Sequence, residues 1–257
     1  MTDLSGKIAI VTGGTKGIGS ACAKGLYERG ANVVIAARNI EAAEGLATDF
    51  KACAEKEGSS SKGCLVAVQA DVSVVSDIEY LTGVISKHFG KLDILVNNAG
   101  IMQNTSIEDM TEEEWDRVLA INLKSVFFMT QKALPLLKAA GGGMVVNVAA
   151  LAGRNGGFVN GLAFTASKSG VIGLTKGFAA RLAADGICVN AIAPGMTDTG
   201  ILDALNKEQK ATLTQKIPVG RLGKPEEIAA AVVFLCSEEA KFITGAVIDI
   251  NGGMYFA

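Results

Sequence analysis

A single histidine and five cysteines are all that the 257 residues offer to metal or thiol chemistry. His88 alone, with no Cys-x-x-Cys pair, argues against a zinc site, and no nucleophile motif accompanies it to suggest Ser-His-Asp catalysis. The cysteines (Cys22, Cys53, Cys64, Cys188 and Cys236) are odd in number in a chain that is not small. They read as free, mostly buried thiols in a reducing compartment. Charge is also scarce, at 19% of residues with a net charge of −2, and aromatics make up 5%. A nucleic-acid surface would need clustered Lys and Arg or a stacking platform, and neither is present. No apolar run approaches the roughly 18 residues of a membrane span, and Ile8–Val11 is too short for a signal-peptide core. The expected setting is cytoplasmic, without membrane or nucleic-acid partners.

What the chain has is apolar content, 49% of residues, arranged in a regular alternation. Short apolar runs at Ile8–Val11, Val33–Ala36, Leu65–Val68, Leu92–Val96, Met144–Val148, Cys188–Ile192 and Val247–Ile250 are separated by segments rich in Ala, Leu, Glu and Lys. Strands without polar alternation, joined by helix-length crossovers, predict an α/β fold with a parallel sheet buried on both faces. His88 falls at the end of one such helix. No Pro/Ser-rich linker interrupts the pattern, and Glu57–Lys62 reads as a helix-to-strand loop. The expectation is one domain over residues 1–257, a doubly wound Rossmann sheet with helices on both faces.

Directly after the first strand stands Thr12-Gly13-Gly14-Thr15-Lys16-Gly17-Ile18-Gly19, followed by an Ala-rich helix. A strand turning through glycines into a helix N-terminus sets bare N–H groups and the positive end of the helix dipole against a pyrophosphate. The segment Gly13, Thr15, Lys16, Gly17, Ile18 and Gly19 is therefore the expected dinucleotide loop. An acidic residue after the second strand would accept a ribose 2′-hydroxyl and favour NAD. Ala37-Arg38 stands there instead, and Arg38, with Lys16 in the loop, can clamp a 2′-phosphate. The cofactor expected is NADP, with NAD disfavoured.

Further motifs follow in order: Asp71-Val72 after the third strand, Asn97-Asn98-Ala99-Gly100 after the fourth, and Asn122-Leu123 within a helix. Pro194-Gly195 with Thr199 follows the sixth strand, and Asp249-x-Asn251-Gly252-Gly253 comes near the end of the sequence. Together with the glycine loop, these make the sequence resemble the short-chain dehydrogenase/reductase family over nearly its whole length. Residues 217–228, with Arg221 and Pro225-Glu226-Glu227, are similar to the branch that includes 3-oxoacyl-carrier-protein reductases and many cyclic-alcohol and sugar dehydrogenases. The resemblance implies that Asp71 and Val72 contact adenine, that Asn98 and Gly100 line the nucleotide cleft, and that Pro194, Gly195 and Thr199 meet the nicotinamide amide. It also implies hydride transfer between a carbonyl and a secondary alcohol of a small-molecule substrate, in a homo-oligomer, most often a tetramer. The apolar Met254-Tyr255-Phe256 and the helix after Lys168 could bury against a neighbour in such an assembly.

The same resemblance implies a tyrosine that protonates the carbonyl oxygen, a lysine four residues on, an upstream serine on the same oxygen, and an asparagine organising a water relay. Here the run is Phe164-Thr165-Ala166-Ser167-Lys168, and Ala150 stands at the serine position, while Asn122 and Lys168 are kept. Neither Phe nor Ala can donate a hydrogen bond. The three tyrosines, Tyr27, Tyr80 and Tyr255, have no lysine four residues later. Ser167 and Thr165 are expected to point away from the Phe164/Lys168 face. Each replacement deletes an oxygen and keeps shape, the pattern of a deliberately inactivated reductase, with natural loss as the other origin. A non-catalytic dinucleotide-binding protein is the alternative function. A lyase or isomerase using Lys168 finds no new His, Cys or carboxylate cluster to support it. Arg154 is read either as an anchor for an anionic substrate or as a solvated loop residue, and residues 196–217 as an amphipathic lid.

Overall fold

The computed structural model describes residues 2–56, 63–157, 160–200 and 212–257. The Glu57–Lys62 loop expectation and most of the lid expected over 196–217 lie outside them. Seven strands form one parallel sheet: β1 (Ile8–Thr12), β2 (Asn32–Ala37), β3 (Leu65–Gln69), β4 (Ile94–Asn97), β5 (Gly143–Val148), β6 (Ile187–Pro194) and β7 (Val247–Ile250), in the order β3-β2-β1-β4-β5-β6-β7. The helices between them are α1 (Gly17–Tyr27), α2 (Ile40–Lys56), α3 (Val75–Phe89), α4 (Glu112–Leu119), α5 (Ser125–Ala139), α6 (Ala152–Asn155), α7 (Leu162–Leu182) and α8 (Pro225–Leu235). A π-helical turn, Ala120–Lys124, joins α4 to α5.

Residue alternation along β1 explains the layering. Ala9 and Val11 face one core with Cys22 and Leu26 of α1 and Val232 of α8. Ile8 and Ile10 face the other, with Leu81 and Ile85 of α3 and Met129 and Leu137 of α5. Both faces are covered, so the strand has no polar side, and each fully buried Leu or Ile contributes about 1.5–3 kcal/mol. The order of strands reverses at β1, which pairs with β2 on one side and β4 on the other. At that point the crossovers diverge to opposite faces and leave a crevice beyond the carboxyl ends of the strands.

All seven expected strands form. β4 begins at Ile94 rather than Leu92 because the Leu92 N–H turns to the Leu136 carbonyl of α5, 3.1 Å away. β6 runs two residues past Ile192 to Pro194, where a missing N–H costs least because the strand ends. At the opposite end of the sheet, Asp93 accepts the Ile8 amide (2.9 Å) and pairs with Lys91 (2.9 Å) and Lys7 (3.5 Å).

Candidate active site

The loop after β1 is held from behind by the segment after β4. Thr12 Oγ1 accepts the amides of Asn98 (3.0 Å) and Ala99 (3.1 Å). Asn98 Nδ2 returns hydrogen bonds to the carbonyls of Thr12 (2.9 Å) and Gly13 (3.0 Å). The Asn98 side chain thus shapes the glycine loop directly. Gly13 has φ +63°, and a Cβ there would sit 2.9 Å from Ala99 Cα; Gly17 has φ +55°, with its virtual Cβ 3.0 Å from Thr199 Cβ. A side chain at either place would be strained. Thr15 and Ile18 are half-buried, and Ile18 packs on the α1 core. At the start of α1 the cap position, Lys16, makes no side-chain cap, and the first turn carries no acidic residue. The amides of Gly17, Ile18 and Gly19 find no acceptor among the described residues. Unpaired N–H groups at a dipole's positive end, with no Cβ in the way, fit an anionic phosphate group.

Next to this cradle, Ala37 is buried at the end of β2, and Arg38 is exposed just beyond. Neither Arg38 nor the exposed Lys16 forms an ion pair with a described residue. Asp71 and the buried Val72 follow β3, whose Gln69 is in register with Ala37. Burial raises the Asp71 carboxyl, but hydrogen bonds from Ser73 and the charge of Arg38 more than reverse this and leave it below the usual value.

Beyond the ends of β4 and β5, Asn122, Lys168 and Gly100 meet. A Cβ on Gly100 would lie 3.3 Å from Asn122 Oδ1 and 3.5 Å from Lys168 Nζ. Asn122 sits in the π-helical turn, a distortion often found at functional sites. It is fully buried; Oδ1 accepts the Ile101 amide (2.8 Å) and Nδ2 donates to the Ile101 carbonyl (3.0 Å). Lys168, 5% exposed, donates to the Val148 carbonyl at 2.7 Å, and burial lowers its pKa to about 8. Its ammonium lies 5.9 Å from the centroid of the Phe164 ring. Phe164 is buried, and Ala150, two residues past β5, is partly exposed; neither brings an oxygen in its side chain.

Two expectations about this region need correction. Ser167 does not point away: it is fully buried, its Oγ accepts from Asn122 Nδ2 (3.2 Å) and donates to the Phe164 carbonyl (2.6 Å). A serine hydroxyl in a helix reaches back to the carbonyl three residues earlier, which leaves its oxygen free to accept from Asn122. Thr165 is buried beside Gly157, and its Oγ1 has no hydrogen-bond partner among the described residues. Arg154 is neither a free anion anchor nor solvated. It belongs to α6, and it pairs through Nε and Nη2 with both oxygens of Asp249 (3.1 and 2.9 Å) and stacks over Tyr255 at 5.2 Å. Sequence spacing hid this pair, because its members are 95 residues apart.

The exit of β6 completes the cleft. Leu151 N–H bonds the Pro194 carbonyl (2.9 Å), Gly195 N–H bonds Ile250 (2.9 Å), and a Cβ on Gly195 would meet Asn251 Cα at 2.8 Å. Thr199 closes over Gly17. Farther out, Arg221 forks onto Glu227 (2.8 and 2.6 Å), which also accepts the Lys224 amide at the start of α8.

A family profile described as Enoyl-(Acyl carrier protein) reductase matches residues 13–255. The 3-oxoacyl-[acyl-carrier-protein] reductase FabG of Vibrio harveyi is 41% identical over 98% of this chain and 99% of its own length. FabG of Escherichia coli K12 is 38% identical over the same shares. Among solved structures, the Pseudomonas aeruginosa RhlG/NADP active-site complex superposes with a TM-score of 0.90 at 35% identity, covering 99% of this chain and 98% of that one.

Proposed function

The chain belongs to the short-chain dehydrogenase/reductase family, on its 3-oxoacyl-[acyl-carrier-protein]-reductase-like branch, and from that premise we propose an NADP(H)-binding carbonyl reductase fold whose chemistry is impaired in this copy. The reading takes residues 1–257 as one dinucleotide domain and a small-molecule ketone or secondary alcohol as substrate. The observation that carries it is the meeting of Lys168, Asn122 and Gly100, with the Phe164 ring 5.9 Å from the ammonium and no hydroxyl at Phe164 or at Ala150 in the sequence.

In this reading Gly13, Thr15, Gly17, Ile18 and Gly19 surround the pyrophosphate, Lys16 and Arg38 take the 2′-phosphate, and Asp71 and Val72 border the adenine. Asn98 and Gly100 shape the cleft floor, Lys168 holds the nicotinamide ribose, and Pro194, Gly195 and Thr199 face its amide. The reduced nicotinamide, when bound, supplies a hydride. What this chain would have to supply is a proton for the carbonyl oxygen and a donor to steady its developing charge. Phe164 and Ala150 supply neither, and the hydroxyl of Ser167 already donates to the Phe164 carbonyl. Binding therefore survives where chemistry fails, which is also what a non-catalytic dinucleotide-binding protein would need.

The NADP bound in the similar RhlG complex and the charge of Arg38 acting on Asp71 support NADP over NAD. Arg38→Ala should weaken NADPH by about 10- to 100-fold through loss of a charge-assisted contact, and leave NADH nearly untouched. Fluorescence titration of both cofactors checks this; equal affinities unchanged by the substitution would reject NADP selectivity.

Among the described residues no helix is long and apolar enough to cross a membrane, and the proposed setting is the cytoplasm. We also propose a homotetramer. An apolar groove between α5 and α7, lined by Leu123, Phe127, Phe128 and Leu174, and the exposed Phe256 are surfaces that an assembly would cover. Light scattering at micromolar concentration should give about four chain masses, and a monomer would end the proposal.

A further inference from the structure

Between the Asn122 corner and the head of α7, one buried side chain holds an acceptor with nothing to accept. Past Gly100 the chain is tied first at Ile101, to Asn122, and then at Gln103, whose carbonyl takes the Gly161 amide at 2.8 Å. Gly161 is the cap residue of α7, and the Gln103 carboxamide lies where a Cβ at Gly161 would be. The backbone does not require glycine there, since φ is −66° and ψ is 156°. The missing Cβ makes room for the carboxamide. Gln103 Nε2 donates at 3.2 Å to the Thr105 carbonyl, which only a donor can satisfy, so Oε1 is the atom turned toward Gly161. Gln103 is 4% exposed, and Oε1 has no hydrogen-bond partner among the described residues.

Donors without acceptors stand beside it. α7 has no side-chain cap, and the amides of Leu162, Ala163 and Phe164 find no acceptor among the described residues. Alone, these N–H groups would suit an anion. The unpaired oxygen of Gln103 repels one, and selects a neutral group that accepts and donates at once. A secondary amide does both, with its carbonyl oxygen and its N–H. Phe164 stands three residues past Gly161, about 4.5 Å along the helix axis, so a ligand held here reaches the Phe164/Lys168 corner within a few bonds. Met102 and Leu162, next in sequence to Gln103 and Gly161, are 46% and 51% exposed, which puts the pair just beneath the surface. Building on the reductase reading above, we propose that Gln103 and the first turn of α7 form a substrate subsite: Oε1 accepts the N–H of an amide carried by the substrate, whose carbonyl oxygen meets a free α7 amide. The substrate class is then a ketone bearing a secondary amide close to the reacting carbon, in preference to a keto ester or a keto acid.

The test titrates N-methylacetoacetamide, methyl acetoacetate and acetoacetate, which share one skeleton, into the protein saturated with NADP+, by ligand-observed NMR. The amide should bind about 10-fold more tightly than the ester or the acid, the scale of one hydrogen bond to an otherwise unpaired buried group. Gln103→Met keeps the length and removes the acceptor; it should bring the amide down to the ester's affinity and leave the ester unchanged. Gly161→Ala keeps Gln103 but sets a Cβ where the carboxamide lies, and should have the same effect. An amide preference that survives both substitutions would overturn the proposal. Equal losses for amide and ester would show a merely structural role and overturn it as well. Tightest binding of acetoacetate would overturn it by showing an anion at the head of α7. Equal binding of amide and ester by the unmodified protein, or no measurable binding of any of the three, would overturn it with NADP+ still bound. Failure of NADP+ to bind would instead overturn the dinucleotide reading, and this inference with it.

Discussion

Ala150→Ser combined with Phe164→Tyr is expected to convert a chain that reduces ketones barely above background into one that oxidises NADPH with measurable turnover. A positioned proton donor contributes about 100- to 10,000-fold, and a donor aimed at the developing oxyanion about 100- to 1,000-fold. The two would act on one oxygen, so their effects should not multiply, and a combined gain of about 1,000- to 100,000-fold is the reasonable range. Each single reversion should recover much less than the pair. The site is prepared for the change: Lys168 and Asn122 are already fixed, through the Val148 and Ile101 carbonyls. Phe164 already sits within reach of the ammonium that would lower a phenol's pKa. NADPH absorbance against a panel of ketones measures the outcome. Ordinary turnover by the unmodified chain would contradict the roles assigned to positions 150 and 164. Silence from both forms, with NADPH bound by each, would favour the non-catalytic reading.

Lys168 should also leave a signature in stability. Burial holds its folded-state pKa near 8, against 10.5 for an ordinary lysine. Below pH 8 both folded and unfolded chains carry the charge, and the folded state bears the full cost of burying it. Between 8 and 10.5 the unfolded state binds the extra proton, so stability rises with pH across that window. The difference of 2.5 units corresponds to about 3 kcal/mol. Lys168→Met removes the charge at every pH. Its stability advantage over the unmodified protein should therefore be about 3 kcal/mol larger at pH 7 than at pH 10.5. Urea unfolding of both proteins at the two pH values measures this, and titrations common to both cancel. An advantage that does not change with pH would mean that the ammonium is better solvated than its surroundings indicate.

The strands were legible because burial on both faces removes polar residues from them, and a run such as Val33–Ala36 has no other reading. The glycine loop was legible because a strand, a glycine turn and a helix in sequence carry their own physical reason. Spacing says nothing, however, of contacts across the sheet. That Asn98 bonds the Thr12 and Gly13 carbonyls depends on β4 lying beside β1, a pairing of residues some 85 positions apart. Arg154 looked free because its partner, Asp249, comes from the last strand. Ser167 was misjudged because the i, i+4 face of Phe164 and Lys168 was weighed alone, whereas Asn122, a partner 45 residues away, holds the Ser167 hydroxyl inward.

The Arg154–Asp249 pair also bears on how the molecule is made. A chain emerging from synthesis can pair β1, β2 and β3 early, since they are neighbours in both sequence and sheet. The helix that carries Arg154, by contrast, has no carboxylate to meet until β7 has been produced, and Asp249 then docks at the far edge of the sheet. Such distant pairings are slow to form because the chain between them must first be ordered. The glycine loop after β1 and its support after β4 are thus synthesised well before the wall at β6 and β7 that faces them. The cleft between them is among the last parts of the protein to exist.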